Sequence, residues 1–142
     1  MSIWFVQPTH ELFTAQSRGT MIEHLAIEFI VAGEDFVSAR MPVDARTVQP
    51  YGLLHGGASV ALAETLGSMA AACCVDPAQK LVVGLDINAN HVRGVRSGYV
   101  TGTARPLHLG GSTQVWEIRI VDERDKLVCI SRLTMTVLDR SA

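Results

Sequence analysis

Between Arg46 and Asp76 the chain carries a single Asp, Glu, Lys or Arg, and that residue is Glu64. It lies within GGASVALAETLGSMAAACCV, residues 56–75. This run is rich in Ala and Leu and too long for one strand, so it predicts one long helix, stopped by Asp76-Pro77. The segment is small and apolar on every side, the pattern of a helix buried in a core. A carboxylate there costs several kcal/mol unless it is paired or solvated. Glu64 therefore either rides a narrow wet stripe or stands in a cleft as a general base or nucleophile. Ser68, four residues on, shares its face.

The rest of the chain must cover that helix. Pro8 to Gln16 reads as a short helix. Residues 23–30 read as a strand, and Phe36 to Val43 alternates as a second one. Residues 44–54, with Pro50 and Gly52, read as a loop. Four further strands are expected at about 81–93, 98–106, 113–121 and 127–138, separated by turns at Ser97-Gly98, Leu109-Gly110-Gly111 and the charged run 122–126. Two strands, one apolar helix and four strands make an α+β chain, most economically an antiparallel sheet wrapped around the helix. With 142 residues it fits a single domain, 1–142.

His55-Gly56-Gly57 precedes the helix. Its glycines let a ligand approach the backbone, and the first-turn N–H groups lack intrahelical partners and sit at the positive end of the helix dipole. Such donors suit the oxyanion that develops in acyl transfer. Gly56 and Glu64 are eight residues apart, about 12 Å of helix rise. A reacting group must come within about 3–3.5 Å of its target, so one helix does not easily place both groups on one carbonyl. Two antiparallel copies do. The spacing thus predicts a homodimer with active sites at its interface.

Composition narrows the alternatives. Only 18% of residues are charged against 48% hydrophobic, which suits a chain that hides surface in an oligomer. The formal net charge of −2 gives no broad case for nucleic acid. Three cysteines, Cys73, Cys74 and Cys129, include an adjacent pair and no CxxC, which fits a reducing compartment, the cytoplasm, better than a disulfide framework. The start MSIWFVQPTHE does not resemble a signal peptide. The stretch 57–75 barely reaches membrane-spanning length and carries Glu64, so no membrane partner is expected. The five histidines have no metal-ligand spacing. There is no GxGxxG, P-loop or GxSxG elbow.

A later polar cluster remains. By simple alternation Leu81, Val83, Leu85, Ile87 and Ala89 share one face of their strand, continued by His91 and Arg93, with Asp86, Asn88 and Asn90 opposite. Two potentially cationic groups at the end of an apolar face suit phosphates, or simply a strand end reaching solvent. The stretch 106–112 offers backbone N–H groups to a phosphate, or forms a plain hairpin turn.

These segments resemble the hotdog-fold thioesterases, in particular the branch with 4-hydroxybenzoyl-CoA thioesterases, 1,4-dihydroxy-2-naphthoyl-CoA hydrolases and the aryl-carrier proofreading thioesterases. The likeness runs from about Leu12 to Leu138 and is carried by MPVDARTVQPYGLLHGGASVALAETLGS (41–68), VVGLDINANHVR (82–93) and RPLHLGGSTQVWEI (105–118). It implies Glu64 as the catalytic carboxylate and Gly56 as the N–H donor to the thioester carbonyl. Gln49 and His55 would be their polar neighbours, and Ser68 would assist substrate or water. It implies Met69 and Gly84 at the substrate, and His91, Arg93, His108, Leu109, Gly110, Gly111 and Ser112 at the CoA moiety. No cofactor is implied, since CoA belongs to the substrate. The partners would be an acyl-CoA or acyl-carrier thioester and further copies of the chain, as a dimer or a dimer of dimers (homotetramer). Other roles of the same fold are a non-catalytic acyl-ligand sensor, and a hydratase or dehydratase built on a His–carboxylate pair.

Overall fold

The structure, a computed structural model that describes residues 1–141, is a six-stranded antiparallel sheet curled around one helix. The elements are α1 (His10–Ser17), α2 (Met21–His24), β1 (Glu28–Ala32), β2 (Val37–Pro42), α3 (Gly56–Cys73), β3 (Lys80–His91), β4 (Tyr99–Leu109), β5 (Thr113–Val121) and β6 (Leu127–Asp139). The strand order is β1-β2-β4-β5-β6-β3. This is the hotdog arrangement, with α3 as the filling. Among the described residues no helix is long and apolar enough to cross a membrane.

Small residues let the sheet close on α3. A Cβ at Gly67 would lie 2.5 Å from the Leu133 side chain, and one at Gly102 would lie 2.8 Å from Leu66. Leu62, Leu66 and Ala70 of the helix are fully buried with Val37, Met41, Val100, Trp116, Ile118, Ile120 and Leu133 of the strands. Each large side chain so buried stabilises the fold by about 1.5–3 kcal/mol. At the far end of α3 the N-terminal segment forms a clasp. Phe5 N–H and Val6 N–H donate to the Cys73 carbonyl, Trp4 Nε1 donates to the Gly33 carbonyl, and the Trp4 ring stacks on Trp116 at 6.4 Å with an 8° tilt.

Three expectations need correction. The strand expected over 23–30 begins only at Glu28. Thr20 caps a helical turn by accepting from Ile22 N–H, and Ala26 turns the chain out with φ +55°. The alternation expected along 81–91 is broken by a bulge between Gly84 and Asp86. The extra residue swaps the faces. Val82, Ile87 and Ala89 pack inward, while Val83 and Leu85 are 44% and 68% exposed. Finally, His108 and Leu109 belong to β4, which runs three residues past its expected end through a second bulge between Pro106 and His108, so the turn itself is only Gly110 to Ser112.

Candidate functional site

Two cavities open along α3. The first, about 400 Å³, lies between the α1–α2 segment and the middle of the helix and is lined largely by carbon. Glu64, Ser68 and Met69 line it, as i, i+4 and i+5 positions of one helix must. Among the described residues no cation or hydrogen-bond donor reaches the Glu64 carboxylate; the five ion pairs all lie elsewhere. Its position is fixed instead by close packing. A Cβ on Gly84 would come within 2.6 Å of Glu64 Oε2, so the bare α-carbon of β3 makes room for the carboxylate. Ser68 Oγ contacts Met135 Sδ at 3.8 Å on the same side.

The second cavity, about 420 Å³ and half polar, opens at the start of α3 and is lined by Gln49, Gly56, Ser59, His91 and Arg93 among others. The loop 44–54 builds its wall. Buried Thr47 donates from Oγ1 to the Pro42 carbonyl and accepts His55 N–H on its own carbonyl at 2.8 Å, which sets where α3 begins. Gly52, at φ +79°, closes the turn that returns to Gln49. Gln49 Oε1 accepts from Tyr51 N–H, which leaves its amide NH₂ as the free end. His55 is the N-cap, its Nδ1 accepting from Gly57 N–H at 2.8 Å. The next residue's N–H, that of Gly56, has no partner among the described residues. The His91 ring lies against Gly56, 2.9 Å from where a Cβ would stand.

The sequence-derived candidates thus separate into groups. Glu64, Ser68 and Met69 line the first cavity, with Gly84 against the Glu64 carboxylate but outside the lining, and Gln49, Gly56, His91 and Arg93 line the second. His55 caps α3 and lines neither, so it forms no dyad with Glu64. His108, Leu109, Gly110, Gly111 and Ser112 also line neither. The Gly110 N–H is already donated to the Thr113 carbonyl. Among the described residues no group of three or more His, Cys, Asp and Glu side chains is placed to hold a metal ion.

A family model described as the thioesterase superfamily matches residues 51–129, more than half of the chain. The chain belongs to the thioesterase superfamily. It is 54% identical over 136 residues to the 1,4-dihydroxy-2-naphthoyl-CoA hydrolase of Escherichia coli, covering 96% of this chain and 99% of that one. It is 52% identical to the proofreading thioesterase EntH of Cronobacter turicensis over 96% of this chain and 98% of the relative. The crystal structure of a mutant thioesterase from Pseudomonas aeruginosa superposes with a TM-score of 0.96 at 50% identity, covering 98% of this chain and all of that one. The protein is an enzyme, a thioesterase.

The two thiols at the C-terminal end of α3, Cys73 and its neighbour Cys74, are poorly suited to attack a thioester. Burial pushes the Cys73 thiol up to about 11, and burial together with the neighbouring Cys73 pushes Cys74 up to about 12. Both stay as inert thiols at neutral pH. The far wall of the first cavity, where Phe13, Gln16, Met21 and Ile22 of the α1–α2 segment face Glu64 and Thr65, is not among the candidates that the sequence singles out. Its signal is the 13, 16, 17 spacing on one side of α1. The sequence also leaves the service of Gly84 to Glu64 unseen, although a glycine inside an apolar strand marks a bulge or a close approach.

Proposed function

We propose that this thioesterase hydrolyses aryl-CoA thioesters to the free acid and CoA, at sites each assembled from two copies of the chain. One observation carries the reading. The unpartnered Glu64 carboxylate and the unpartnered Gly56 N–H lie in different cavities of one chain. The spacing along α3 argues that they meet only across an interface. The sheet offers a place for one. Its β1 edge is five residues long, bulged, and carries Glu28 paired with Arg40. Its β3 edge is twelve residues long and presents Val83 and Leu85 to solvent beside Gly84 and Glu64. Edges of the first kind resist pairing and edges of the second kind invite it.

Glu64 of one copy acts on a carbonyl whose oxygen accepts from Gly56 N–H and the Gln49 amide of the other. The leaving group is a thiolate, comparable to that of cysteine with a reference pKa of about 8.5, so no strong general acid is needed. The reaction then requires an activated water or a carboxylate nucleophile, together with oxyanion stabilisation. Ser68 would hold the water or the acyl group. Met69 borders the acyl group, and His91 and Arg93 lie where the CoA phosphates would pass. The ring preference is supported by the first cavity, whose apolar lining and volume suit a flat one- or two-ring acyl group.

The test is Glu64→Gln, assayed on benzoyl-CoA and hydroxynaphthoyl-CoA. Turnover should fall at least about a hundredfold with the fold intact, the scale of a principal acid–base group. Near-normal turnover would refute the role. Incorporation of oxygen-18 into Glu64 during a single turnover in labelled water separates attack by the carboxylate from activation of water.

A further inference from the structure

A third cavity lies on the other side of α1, about 200 Å³, between that helix and β1. Phe13 and Ser17 line both this cavity and the Glu64 cavity. Ser17 donates its hydroxyl to the Phe13 carbonyl at 2.6 Å, so it brings no unsatisfied polar group to the shared wall. The wall is Phe13 and Ser17, and the Phe13 ring is its bulky part. That ring is held from behind by Phe29, with centroids 6.2 Å apart, and α1 is anchored by Thr9, whose side chain accepts from Leu12 N–H. The inner side of the third cavity is Ile27 and Phe29, and its outer rim carries His10, Glu23 and the Glu28 that pairs with Arg40.

We propose that Phe13 is a partition that sets the size of the acyl group: it ends the acyl pocket after one or two rings and shuts off a second compartment suited to a neutral alkyl extension. The proposal rests on the thioesterase reading above. The inner side of the compartment is apolar, so a plain alkyl extension suits it, whereas an extension ending in a carboxylate would bring an unpaired charge against Ile27 and Phe29. Each methylene that passes the partition is worth about a fourfold gain in binding.

The experiment compares kcat/KM for dodecanoyl-CoA and benzoyl-CoA in wild type, Phe13→Leu and Phe13→Ala. The ratio of the two should rise at least about tenfold in Phe13→Leu, where the helix keeps a branched apolar side chain, and further in Phe13→Ala. Adding Thr14→Trp, which fills the third cavity from a position outside the acyl pocket, should abolish the gain without changing benzoyl-CoA hydrolysis. A thioester whose chain ends in a second carboxylate should not gain. An unchanged ratio in folded Phe13→Leu, or a gain that survives Thr14→Trp, overturns the partition. The same ratio read as Kd for the non-hydrolysable S-dodecyl and S-benzyl thioethers of CoA decides the matter independently of turnover. A wild type that hydrolyses no thioester would thus refute the functional reading and leave the role of Phe13 still decidable.

Discussion

The two cavities along α3 are nearly equal in volume and opposite in character. The one around Glu64 is lined largely by carbon and holds a single carboxylate that has no counter-charge among the described residues. The one around Gly56 is half polar and holds free donors, an N–H and an amide, with His91 and Arg93 at its mouth. In the proposed reaction the first would receive and attack the acyl group, and the second would hold the carbonyl oxygen and the phosphate-bearing tail. A helix of eighteen residues keeps them apart within one chain. On the proposed reading, half of the reaction is held at the start of α3 and half at its middle, and a second copy would supply the complement.

The sharpest way to break that comparison is complementation. Glu64→Gln and Gln49→Ala should each be severely impaired alone. Co-expressed, they should recover about a quarter of wild-type activity. Half of a random mixture of two-fold dimers is mixed, and each mixed dimer has one intact site of two. No recovery from folded, exchanging chains would place both groups of a site in one chain. A smaller effect probes the seat of the carboxylate. Gly84→Ala should leave the thermal midpoint nearly unchanged, because the clash is with the far end of the Glu64 side chain, yet lower kcat about tenfold by displacing Oε2, read in steady-state kinetics. Smaller again, Arg93→Ala should raise KM for a CoA thioester about two- to fivefold, the range of an exposed ion pair, with kcat unchanged and with the salt dependence of KM reduced. The smallest effect lies outside both cavities. The Arg46 side chain beside Asp44 holds that carboxyl down at about 2. The folded value is below the unfolded one, so the contribution is present above pH of about 4 and is lost as pH falls through about 2. Asp44→Asn should flatten the acid limb of the denaturation profile in that window only.

Much of this was legible in the chain. The helix could be read because nothing charged interrupts it but Glu64, and the same scarcity singled that residue out. The separation of Glu64 from Gly56 followed from helix geometry alone. The face of β3 could not be read, because a period-two count has no way to see the extra residue after Gly84, and one bulge inverts everything beyond it. The start of β1 was hidden because Glu23 to Ile30 has strand-like composition, while Thr20 and the left-handed turn at Ala26 commit the first part to a helical turn. The wall built by Phe13 and Ile22 was invisible for another reason: which face of a short helix meets the Glu64 cavity depends on packing between segments far apart in the chain.

The clasp at the far end of α3 has a practical consequence. The chain holds two tryptophans, and both are in the one stack of Trp4 on Trp116. Near-ultraviolet emission and exciton circular dichroism from this protein therefore report from a single address, the junction of the N-terminal segment with the sheet. Loss of the exciton couplet ahead of the far-ultraviolet signal would mark the peeling of residues 1–8 as a separate event from melting of the core. The molecule carries its own optical gauge for the fastening of its first eight residues.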